Sequence, residues 1–108
     1  METKAQELLS FFGFTGEGYD DLANVIAEIA NESDSSQVIT KDIKSLPFGF
    51  GLQDEADEFV IIDIIQFILA DIVPKTSKKN FIVSHFHLDT DHIKKKTCGK
   101  ITVEVETL

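Results

Sequence analysis

The residues best equipped for chemistry stand together in the last third of the chain, in Phe81-Ile82-Val83-Ser84-His85-Phe86-His87-Leu88-Asp89-Thr90-Asp91-His92. Imidazoles and carboxylates two positions apart project from one side of a strand and the turn after it. Groups so placed can grip Zn²⁺ or a similar cation.

Within that stretch, Ser84-His85-x-His87-x-Asp89 resembles the metal-binding strand end of the metallo-β-lactamase superfamily, where an apolar strand leads into Ser/Thr-His-x-His-x-Asp-His. Here two residues are inserted before the final Asp-His pair. In a second alignment, His87-x-Asp89-x-Asp91-His92 matches the variant in which the second His is replaced by Asp. The resemblance implies a metal-dependent hydrolytic module using His85, His87, Asp89, Asp91 and His92. It covers about a dozen residues of a fold roughly twice this length, whose further ligands lie well downstream. Only sixteen residues follow His92. The greater weight falls on a structural reading, with His85 and His87 on an exposed hairpin strand and Asp89 and Asp91 forming its turn. On that reading no metal or cofactor is expected.

Nucleophilic catalysis has little support. Cys98 sits between Thr97 and Gly99 near several lysines, but no companion base can be assigned to it. Ser84, next to His85 in a strand, should point to the opposite face. No Gly-rich phosphate loop and no paired cysteines are present, and the chain is not expected to be an enzyme.

Binding is the alternative to chemistry, and acidic clusters are its first candidates. Glu17, Asp20 and Asp21 stand at one helix start, and Asp54, Glu55, Asp57 and Glu58 at another, where carboxylates suit the helix dipole. The same groups could form an electronegative patch for a basic partner. Phe48 and Phe50, separated by Gly49, are a second candidate, as an apolar anchor within a polar rim or as a plug at the end of the core. The expected partner-binding set is Asp20, Asp21, Phe48, Phe50, Asp54, Glu55, Asp57 and Glu58.

Composition favours that direction. The 108 residues carry nineteen acids against ten lysines and no arginine, a formal charge of -9. Such a field repels nucleic acid and anionic membrane, attracts cationic surfaces, and exceeds the roughly 2 to 8 units that solubility asks of a small domain. Residues 1–74 hold fifteen acids and three lysines, a balance of -12, while residues 75–108 hold four acids and seven lysines, +3. One unpaired cysteine and a start without the basic and apolar regions of a secretory signal suit the cytoplasm. The longest apolar stretch, 59–73, is interrupted by Asp63, Gln66 and Asp71 and falls short of the roughly 20 residues a membrane span needs.

Periodicity supplies the elements. Helical spacing of apolar residues predicts helices over 2–12, 19–31 and 54–73, the last capped by Asp54, stopped by Pro74 and apolar around most of its circumference. A short strand is expected at 37–40, then a loop over 41–53. Alternation predicts a C-terminal antiparallel hairpin, 81–88 and 100–107, joined by a long loop or a short extra strand. The expected class is α+β, one domain with three helices on a small antiparallel sheet. The last strand could pair with another chain at its edge, unless Glu104 and Glu106 guard it.

These expectations combine into an inhibitor-type binding protein that masks a basic toxin, nuclease or nucleic-acid-binding protein. In size, charge and lack of catalytic equipment, and in nothing else, the chain is similar to bacterial immunity proteins and phage anti-defence proteins. A metal-binding or hydrolytic module is the competing reading, and a subunit of a larger assembly a third.

Overall fold

The computed structural model describes residues 2–14, 18–48, 55–73 and 78–107. Its elements run α1 (Glu2–Phe11), α2 (Asp20–Glu32), β1 (Gln37–Leu46), α3 (Glu55–Ile72), β2 (Lys79–Asp91) and β3 (Lys96–Thr107). The fold is α+β: three helices cover one face of a three-stranded antiparallel sheet of order β1-β3-β2. The three expected helices stand within one or two residues of their predicted bounds. Asp54 and Pro74, expected to cap and stop α3, lie outside the described residues.

The core forms between the two layers. Leu22, Ile26 and Ile29 of α2 and Ile65, Ile68 and Leu69 of α3 pack against Ile43, Ile101 and Val103 of the sheet, all essentially without solvent contact. α2 lies chiefly over β1 and α3 over β2, with α1 against α2 and touching α3. Burying a side chain of this size contributes about 1.5–3 kcal/mol, so these positions dominate stability.

Three strand expectations need correction. First, β1 runs through Leu46, so 41–46 is strand rather than loop. Its inward positions read Ile39, Lys41, Ile43, and the lysine hides the alternation. The Lys41 side chain follows the helix-facing side of the strand and brings its ammonium to Glu28 and Glu32 of α2.

Second, the hairpin strands are longer than predicted, and the residues between them, 92–95, form a tight turn. A bulge sets the pattern of β2: Val83 pairs with Val103 and His85 with Thr102, leaving Ser84 as the extra residue. Inward positions therefore switch from Phe81 and Val83 to Phe86 and Leu88, which defeats a simple period of two. Ser84 and His85, expected on opposite faces, are both exposed.

Third, the last strand is the centre of the sheet. Both edges of β3 are paired within the chain, to β1 and to β2, so Glu104 and Glu106 guard no edge. The open edges belong to β1 and β2.

Candidate functional site

The His-Asp segment is positioned by the bulge at Ser84. After it, His85, His87, Asp89 and Asp91 all project from the uncovered face of the sheet, strung along an edge strand. Alternate residues of a strand stand about 6.6 Å apart, so four in a row spread along the strand rather than around one point. Their cross-strand neighbours do not complete a donor set: His85 faces Thr102, His87 faces Lys100, and Asp89 faces Cys98. Among the described residues, no three His, Cys, Asp or Glu groups come together closely enough to hold a metal ion.

Asp89 lies in the strand rather than the turn. Asp91 ends the strand and does shape the turn, its Oδ1 accepting hydrogen bonds from the amides of Ile93 at 3.0 Å and Lys94 at 3.1 Å. His92 carries the Phe48 ring edge-on at 5.9 Å, which joins the end of β1 to the hairpin tip. Phe48 is half exposed there and Ile93 is almost wholly so. Phe50, its expected companion, lies outside the described residues. Cys98 is an exposed free thiol.

The two first-turn carboxylates of α2 have different surroundings. Asp21 is half-buried, and its Oδ2 accepts the amides of Lys44 at 2.9 Å and Ser45 at 3.1 Å, tying α2 to the irregular end of β1. Its charge is already committed to the fold. Asp20 is exposed and, among the described residues, accepts a long hydrogen bond of 3.5 Å from Gln6 Nε2. Asp54, and the side chains of Glu55, Asp57 and Glu58, lie outside the described residues.

Charge separates by layer. The three helices carry eleven carboxylates and one lysine, a balance of -10, while the three strands carry five carboxylates and five lysines. That one lysine, Lys4, sits 3.8 Å from Asp71, and Lys41 of β1 is spent on Glu28 and Glu32. Both Glu32 as hydrogen-bond acceptor and the two nearby carboxylate charges raise the Lys41 pKa above its usual 10.5. Glu7, Asp20 and Asp63 are exposed and, among the described residues, have no cation within ion-pair distance. The helix layer is thus the electronegative face.

The same layer bears an apolar surface that sequence reasoning missed. A helix apolar on nearly all sides predicts cover on nearly all sides, yet Phe59 is 68%, Val60 54% and Phe67 53% exposed on α3, and Phe11 is 80% exposed on α1. Phe12 joins the two groups, edge-on to Phe11 at 5.3 Å and to Phe67 at 5.6 Å. Carboxylates punctuate this surface, with Glu7 one turn before Phe11 and Asp63 between Val60 and Phe67. Large exposed aromatics within a charged rim are the anatomy of an interface.

No helix of the described residues is long and apolar enough to cross a membrane. Compared with protein-family models, curated proteins and solved structures, the chain finds no match, so its surface chemistry alone carries the functional reading.

Proposed function

We propose that this chain is a small acidic binding protein that covers a basic surface of a protein partner and acts as an inhibitor rather than an enzyme. The observation that carries the reading is the confinement of the net negative charge to the helix layer, -10 against 0 for the strands. A one-signed face steers a cationic partner into encounter, and the exposed aromatics on that face slow its departure. The partner class that fits is a basic toxin, nuclease or nucleic-acid-binding protein whose working groove is cationic. Immunity proteins and phage anti-defence proteins are the functional analogues in size and charge. A reducing cytoplasmic setting suits the exposed thiol of Cys98.

The test is capture of partners by the purified protein from a lysate of its own source, at low and at moderate salt, read by mass spectrometry. A basic toxin or nucleic-acid-handling protein should be retained, in smaller amount at the higher salt. Retention of nothing, or of acidic proteins alone, would overturn the proposal.

A further inference from the structure

Within the helix layer, α1 covers only the C-terminal half of the exposed side of α3. Lys4 meets Asp71, and Phe12 meets Phe67. α1 then ends, with Gly13 at φ 95° breaking the helix. Two turns earlier on the same stripe of α3, Val60 has no covering element among the described residues and is 54% exposed. Residues 60 and 67 are seven apart, so they stack on one side of α3 about 10 Å from each other. Among the described residues this leaves an uncovered place in the helix layer, walled at one end by Phe11 and Phe12 and floored by Val60 and Phe67.

We propose that this place is the docking track for one amphipathic helix of the partner, with apolar residues at one-turn spacing and lysines or arginines on its flanks. The inference rests on the binding function proposed above and specifies what the partner presents. Helix geometry matches the floor, since apolar side chains at i, i+3 or i+4 and i+7 lie over the same length as Val60 to Phe67. Charge fixes the sign of the flanks, because exposed Asp63 lies between Val60 and Phe67 and exposed Glu7 stands one turn before Phe11 at the walled end. The same charge disfavours a second copy of this chain as the occupant, which would bring two layers of -10 face to face.

The experiment uses the intact protein and two synthetic peptides of roughly 18 residues with one Leu/Lys composition, long enough to form a helix on binding. One places its leucines on a single helical face, and the other is scrambled to have none. Binding is read by fluorescence anisotropy for the natural protein, for Val60→Lys and for Val38→Lys. Val38 is 64% exposed on the far face of the sheet, so the two variants change the same residue type and the same charge on opposite layers.

The amphipathic peptide should bind at least about tenfold more tightly than the scrambled one, and Val60→Lys should erase that preference while Val38→Lys preserves it. Equal binding of the two peptides, or equal loss in both variants, would overturn the docking track. Capture of a basic partner in the lysate experiment would stand regardless, so failure of the track and failure of the binding function are separable.

Discussion

Gln66 on α3 accepts a hydrogen bond from the backbone amide of Val83 at 2.7 Å, through its side-chain Oε1. Val83 stands at the bulge of β2, an edge strand, where a backbone donor has no neighbouring strand on its open side. The contact fastens the helix layer to the sheet and occupies part of an edge that another chain would otherwise find open. Gln66→Ala should cost about 1–2 kcal/mol, the usual consequence of orphaning a part-buried donor. Urea denaturation of the two proteins side by side measures it. Unchanged stability would show that the amide is satisfied without Gln66.

Asp20 and Asp21 are neighbours with separable roles. Asp21→Ala removes a charged acceptor from two amides of β1 and should destabilise by about 1–3 kcal/mol. Asp20→Ala, on an exposed carboxylate, should stay within about 0.5 kcal/mol of the parent. Thermal unfolding of both variants checks the pair, and equal effects would contradict the separation of roles.

Gly18 and Gly13 make a second paired test. Both have positive φ, 101° and 95°, but a Cβ on Gly18 would lie 2.9 Å from Pro47 Cγ, while one on Gly13 meets nothing within 4 Å. Backbone strain alone should cost Gly13→Ala about 1 kcal/mol. Gly18→Ala adds a clash with a ring that ends β1 and should cost distinctly more, about 2–4 kcal/mol. Denaturation midpoints that rank the two the other way would place the Gly18 turn elsewhere than against Pro47.

The Lys41 pair sets an alkaline limit. Its pKa is raised chiefly by the hydrogen bond to Glu32, so the folded state holds this proton more firmly than the unfolded chain does. A raised pKa contributes stability that is complete below the unfolded value of about 10.5 and is lost as pH rises through the higher folded value. Relative to Lys41→Met, the natural protein should therefore keep a constant stability difference from neutral pH to about 10 and lose it above. Denaturation curves at neutral and at strongly alkaline pH read the effect. A difference that vanishes on acidification from neutral pH to pH 6 instead would assign it to another group.

Much of the architecture was legible in the sequence, and the departures have specific causes. The helices followed from apolar spacing and from the breaks around them, because the residues that form and end a helix are local to it. The alternation of β1 reads as ending at Thr40 because Lys41 occupies an inward position, which the carboxylates of Glu28 and Glu32 on α2 make tolerable. β2 lost its alternation at Ser84, since one bulged residue exchanges the two faces. The central place of β3 depends on pairing between segments some sixty residues apart, such as Thr40 with Thr102, whose hydroxyls stand 3.1 Å from each other. No local pattern contains that relationship.

The candidate site was legible in charge but not in shape. The excess of acids in residues 1–74 points to an electronegative face, and the even balance of acids and lysines in the three strands narrows it to the helix layer. Asp21 looked like a surface acid because its two amide partners lie more than twenty residues away. Phe59 and Phe67 read as core in a helix apolar around most of its circumference, since periodicity places a residue on a helix face without saying whether anything covers that face.

The most direct test of the proposed function compares two triple charge reversals of equal size in the lysate capture. One changes Glu7, Asp20 and Asp63 to Lys on the helix layer, and the other changes Asp89, Glu104 and Glu106 to Lys on the open face of the sheet. All six side chains are exposed. Loss of the basic partner on the helix-layer reversal alone, with near-normal capture by the sheet reversal, is the predicted result. Equal loss in both would reduce the interaction to net charge, and loss in the sheet reversal alone would move the interface to the other side of the molecule.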